Sequence, residues 1–126
     1  MKLRSPLSKA VGLGSAKHGF SHWWWQRVTA VALIPLTLWF VFSILRLVGG
    51  SYDAVSAWLS SPLNASIMLL FVFTSLFHAQ TGLQVVIEDY VHTKWANLTL
   101  LLLTKFAAAL MAVLSIISVL KVALGG

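Results

Sequence analysis

The chain has 126 residues, 59% of them hydrophobic and only 10% charged, with no cysteine and a formal net charge of +6. A water-soluble domain of this length cannot bury that much apolar surface, which excludes a soluble globular fold. The missing cysteine excludes disulfides, thiolate metal sites, iron–sulfur ligation and C-x-x-C-H haem attachment. The basic residues line an apolar boundary and form no separate polar face, so a nucleic-acid surface is excluded as well.

Residues 1–20 read as a basic, glycine-containing, acid-free arm. It shares these features with a transit peptide, but it runs directly into a tryptophan cluster and is expected to be a retained cytoplasmic arm. Ser21 to Arg27 (SHWWWQR) mark the membrane entry. Three adjacent indoles cannot share one helix face, which suits a belt at headgroup depth. Residues 28–45 carry no charge, and at about 1.5 Å per residue this run approaches the roughly 30 Å of a bilayer core. The first helix is expected at about 22–48, bent at Pro35 and stopped by Gly49-Gly50. In the loop that follows, Trp58 is expected to lie on the outer interface. Pro62 and Asn64 open a second helix at about 64–91, and a third is expected at about 97–124.

The expected fold is therefore an all-α membrane protein of three transmembrane helices within one membrane-anchor domain, residues 1–126. Lys2, Arg4, Lys9, Lys17 and Arg27 all precede the first uncharged run, which predicts a cytoplasmic N-terminus, or a matrix-facing one in a mitochondrion. Lys105 stands roughly 12 Å along the third helix from Asn97. There it would snorkel, meet a polar group of another helix, or serve a ligand.

The chemistry concentrates in the second span, in FHAQTGLQVVIEDYVH (residues 77–92). On a helix of 3.6 residues per turn, Gly82, Val85 and Asp89 fall within about 40° of His78 around the axis. Gly82 would leave space beside the imidazole for a flat macrocycle. Axial ligation of haem iron suits such a histidine, and so does a packing role as a hydrogen-bonding residue. If His78 is a ligand, a six-coordinate bis-histidine haem needs its second histidine from another chain, because His78 is the only histidine expected deep in the membrane. Asp89 and Tyr90, at the membrane edge, can exchange protons and hydrogen-bond a carbonyl headgroup, or form a solvated helix end. Glu88 and His92 have no role beyond an interfacial one.

H-A-x-x-G-L-Q-V-V-I-E-D-Y-V, residues 78–91, together with the S-x-W-W-x-Q-R-V-T-A pattern around Arg27, resembles the small hydrophobic membrane-anchor subunit of succinate dehydrogenase, respiratory complex II, of cytochrome b type. The resemblance implies packing against a second three-helix anchor subunit, with one haem b held between them, and attachment of an iron–sulfur subunit and a flavoprotein subunit in a heterotetramer. It implies His78 as the haem axial ligand, Asp89 and Tyr90 at the ubiquinone pocket, and Arg27 near the haem propionates. His22 is a further candidate at the propionates, on a stretch where the triple tryptophan breaks the alignment.

On this reading the succinate-oxidising site lies on another subunit, and the chain helps form the ubiquinone-reduction site in a bacterial cytoplasmic membrane, or alternatively a mitochondrial inner membrane. The alternative is a haem-free structural anchor or assembly subunit. A small cation transporter built on His78, Asp89 and Lys105 is disfavoured, since no repeat or paired intramembrane carboxylates are present.

Overall fold

A computed structural model describes residues 13–125, with side-chain surroundings from residue 19 onward. Four helices make up the described fold: α1 (Leu13–Leu47), α2 (Tyr52–Leu59), α3 (Pro62–Tyr90) and α4 (Lys94–Ala123). Among the described residues there is no strand. The stretches Gly19–Leu47, Pro62–Tyr90 and Lys94–Ala123 are each long and apolar enough to cross a membrane.

The first helix departs from expectation at its start. It begins at Leu13, so residues 13–20 of the expected arm are helical; residues 1–12, with Lys2, Arg4 and Lys9, lie outside the described residues. Its 35 residues extend about 52 Å, well beyond a bilayer core. Pro35 stands inside this helix without ending it, and the proline leaves the Val31 carbonyl without its intrahelical donor. Gly49 ends α1 by adopting φ +83, a left-handed conformation open to glycine, while the Gly50 N–H donates to the Leu47 carbonyl at 3.0 Å.

The short α2 interrupts what reads in sequence as a loop. Ser51 caps it by accepting from the Ala54 N–H, and Asp53 in the first turn complements the helix dipole. Trp58 is half-buried, its ring stacked on Trp39 of α1 with centroids 5.4 Å apart. Asn64 Nδ2 donates to the Trp58 carbonyl at 2.9 Å, which ties the end of α2 to the first turn of α3. At the other membrane edge only residues 91–93 separate α3 from α4. Asn97 Nδ2 bridges that turn, donating to the carbonyls of Val91 at 3.1 Å and Ile87 at 3.3 Å.

α3 packs against both α1 and α4 and is the central element. The interior it creates is small and partly polar: Leu36, Leu59 and Ile87 are buried, and so are Thr29, Ser43, Thr74 and Thr81. Two of these hydroxyls donate to the carbonyl four residues back, Thr29 to Trp25 and Ser43 to Trp39, and Thr81 Oγ1 has the Phe77 carbonyl within 3.0 Å. That habit lets a polar residue sit in an apolar helix without an unpaired proton. The large apolar side chains point outward, and no residue of α4 is buried. In lipid this costs nothing, because hydrocarbon solvates leucine as well as a protein core does.

Candidate functional site

The seam between α1 and α3 is held by two side-chain pairs in antiparallel register. Gln26 meets Thr81, whose Oγ1 lies 2.6 Å from Gln26 Oε1, and Thr29 meets His78, with Oγ1 2.9 Å from Nδ1. The two pairs are offset by three residues on each helix, 26 and 29 on α1 and 78 and 81 on α3, so they occupy neighbouring turns of one face. The described residues engage only Nδ1 of the His78 ring.

Beside this seam lies a cavity of about 410 Å³ lined by His78 and Val85 of α3 and by His22, Gln26 and Arg27, among others, of α1. Three residues singled out in the sequence, His78, His22 and Arg27, therefore meet around one space. Arg27 is exposed, its guanidinium carbon 5.5 Å from the centroid of the Trp23 ring, within cation–π range. His22 Nε2 is buried with no hydrogen-bond partner among the described residues. Such an orphaned nitrogen marks a place where a further polar group would be welcome.

Gly82 lies across from α1. A Cβ built there would meet Gln26 Nε2 at 3.7 Å, an ordinary contact, and no other side chain within 4 Å, so the glycine stands beside a residue that also lines the cavity. Asp89 and Tyr90 form the exposed end of α3, with Tyr90 77% exposed and neither hydrogen-bonded among the described residues. Tyr90 stands 12 residues beyond His78, about 18 Å along the helix axis.

Glu88 and Lys105 gain surroundings that the sequence did not announce. Glu88 lines a larger cavity of about 630 Å³ with Ser21, His22, Trp25 and Thr81, and its Oε2 accepts from Gln84 at 3.4 Å. Lys105 lines a cavity of about 160 Å³ between α3 and α4 together with Gln80, whose Nε2 is buried without a partner among the described residues. His92 is exposed in the turn between α3 and α4. Thr29, Gln26 and Thr81 escaped the sequence reading. Their signal is the shared spacing of three, 26 and 29 against 78 and 81, which appears only once α1 and α3 are paired antiparallel.

Residues 1–118 match the sequence model of the succinate dehydrogenase/fumarate reductase transmembrane subunit. The chain belongs to this family. It is similar to the succinate dehydrogenase hydrophobic membrane anchor subunit of Rickettsia bellii, at 37% identity over 116 residues, which cover 92% of this chain and 93% of the relative. The same subunit of Paracoccus denitrificans is 38% identical over 90 residues, 71% of this chain and 70% of the relative. That of Rickettsia conorii is 34% identical over 103 residues, covering 81% and 82%. No solved structure matches the chain.

These relatives and the three apolar spans identify a multi-pass protein of a bacterial inner membrane, the membrane-anchor subunit of an oxidoreductase complex of the succinate dehydrogenase type. The sparse interior suits an anchor, since the outward-facing side chains of α4 and the cavity beside His78 are surfaces that lipid or other subunits can cover.

Proposed function

We propose that this succinate dehydrogenase anchor binds haem b through His78 and helps form the site where ubiquinone is reduced. One observation carries the reading: His78, tied at Nδ1, lines a cavity that also contains His22 and Arg27. The residues fit half of a haem site. An imidazole with one nitrogen secured and the other uncommitted is the donor that iron requires. The Arg27 guanidinium suits a propionate carboxylate, and the orphaned His22 Nε2 is a second polar contact for it. The other axial histidine belongs to a second anchor subunit, and the open side of the cavity leaves room for that neighbour. Haem, when bound, supplies a one-electron store between the partner subunits and the quinone.

Succinate oxidation belongs to a flavoprotein subunit, and electrons arrive through an iron–sulfur subunit; neither cofactor has a binding motif in this chain. The N-terminus is cytoplasmic, which puts Asp89, Tyr90 and the turn at residues 91–93 on the side of those subunits. There the Tyr90 hydroxyl donates to a quinone carbonyl and Asp89 passes protons to the reduced headgroup. Their exposure is consistent with a pocket completed by neighbouring subunits.

A difference spectrum of the purified complex tests the central step. His78→Ala should abolish the b-type absorption while the complex still contains its other subunits. Unchanged absorption would sink the ligand assignment and leave a haem-free anchor as the reading.

A further inference from the structure

We infer that Thr29 is a positioning residue for His78: it fixes the ring as the Nδ1–H tautomer, so that Nε2 carries the lone pair. The inference rests on the proposed role of His78 as a haem ligand, and it explains how that histidine is made ready for iron.

The number of protons available decides which atom donates. A threonine hydroxyl has one proton to give. Thr29 Oγ1 lies 2.7 Å from the Trp25 carbonyl oxygen and 3.2 Å from that of Gln26, and both oxygens can only accept. The proton therefore goes to a carbonyl, with Trp25 the nearer. Toward His78 Nδ1, at 2.9 Å, the hydroxyl has only lone pairs to offer. The shared proton must then be on Nδ1, and neutral imidazole keeps its lone pair on Nε2. In the reverse assignment Thr29 would donate to Nδ1, two oxygen atoms would stand 2.7 Å apart with no proton between them, and Nε2 would carry hydrogen and be unable to bind a metal.

The surroundings make this assignment firm. Thr29 is 8% exposed, so water does not compete for either partner. One turn away the Thr81–Gln26 pair fastens the helix segment that carries His78, and Thr81 Oγ1 also lies 3.0 Å from the His78 carbonyl. The ring is thus held at its nitrogen and its backbone at the neighbouring turn. Donation from Nδ1–H raises the basicity of Nε2, which strengthens iron binding and favours the ferric state.

The test compares the whole purified complex in four forms: wild type, Thr29→Val, Thr29→Ser and His78→Ala. Thr29→Val keeps the branched shape and removes the acceptor. It should weaken haem retention about 10–100-fold, read as transfer to apomyoglobin, and should move the haem midpoint potential to a more positive value. Thr29→Ser should restore both, which a mere packing role would not require. Histidine ¹⁵N shifts in membranes from haem-limited cells read the tautomer without the metal: Nδ1–H is expected for His78 in wild type and Thr29→Ser. A wild-type Nε2–H signal overturns the inference whatever the haem does. If His78→Ala loses haem while Thr29→Val keeps wild-type retention and potential, the positioning role fails and the ligand assignment stands. If His78→Ala keeps haem, the ligand assignment fails, and the ¹⁵N signal alone judges the tautomer. Should Thr29→Val not assemble, a potential shifted positive in Thr29→Ser or an Nε2–H signal counts against the role, and wild-type values for both support it.

Discussion

Thr81→Val removes the hydroxyl that reaches Gln26 Oε1 at 2.6 Å across the α1–α3 seam. Thr81 is 7% exposed, and without its hydroxyl the Gln26 side-chain oxygen loses its partner from α3. Hydrogen bonds between helices in a bilayer contribute about 0.6 kcal/mol on average and up to about 1.7. Burial and the short distance argue for the upper part of that range. Competition argues downward, because the same proton has the Phe77 and His78 carbonyls within 3.0 Å. The expected coupling is about 1 kcal/mol, roughly fivefold in an equilibrium constant. A double-mutant cycle of Thr81→Val, Gln26→Leu and the pair measures it, with SDS titration of the purified complex followed by tryptophan fluorescence. A coupling below about 0.3 kcal/mol, the scatter expected of independent sites, would refute the claim that this pair clamps the seam.

Tyr90→Phe should slow ubiquinone reduction while succinate oxidation by a soluble dye stays intact; Asp89→Asn should act in the same direction and alter the pH dependence of turnover. Equal loss of both activities would point to assembly, and unchanged ubiquinone turnover in both variants would remove these residues from the quinone site. Gly49→Ala should destabilise the chain by about 1–2 kcal/mol in the same titration, because φ is +83 there and no neighbour lies within 4 Å, leaving backbone strain as the whole cost. Gly19 supplies the control, since it has equal space inside a helix: Gly19→Ala should be neutral or stabilising by up to about 1 kcal/mol.

Several features of the fold were not legible in the sequence. The start of α1 at Leu13 was hidden because Gly12, Gly14 and Gly19 read as arm, whereas the helix continues outward past the tryptophans. The α2 helix was hidden by its eight-residue length, too short for a periodic signal, although its Ser51 cap and Asp53 were both in view. The stacking of Trp58 on Trp39 was not legible because the two lie 19 residues apart on different helices. That Gln26 of α1 stands opposite Gly82 is likewise not disclosed by one helix alone. For Trp58 and Gly82 the missing information is a neighbour distant in sequence.

What the sequence determined by itself is the class: uncharged runs of bilayer length admit only helices there, since every backbone polar group must be satisfied within its own segment. It also placed His78 and Val85 on one stripe through helical phase, and they do line one cavity. Only the tertiary structure decided the pairing across the seam. A hydroxyl in a membrane helix can bond back to its own carbonyls, so nothing in the pattern of Thr29 or Thr81 says that it also meets a partner. The antiparallel packing of α1 on α3 brings Thr29 to His78 and Gln26 to Thr81, and it gathers His22 and Arg27 beside the same imidazole.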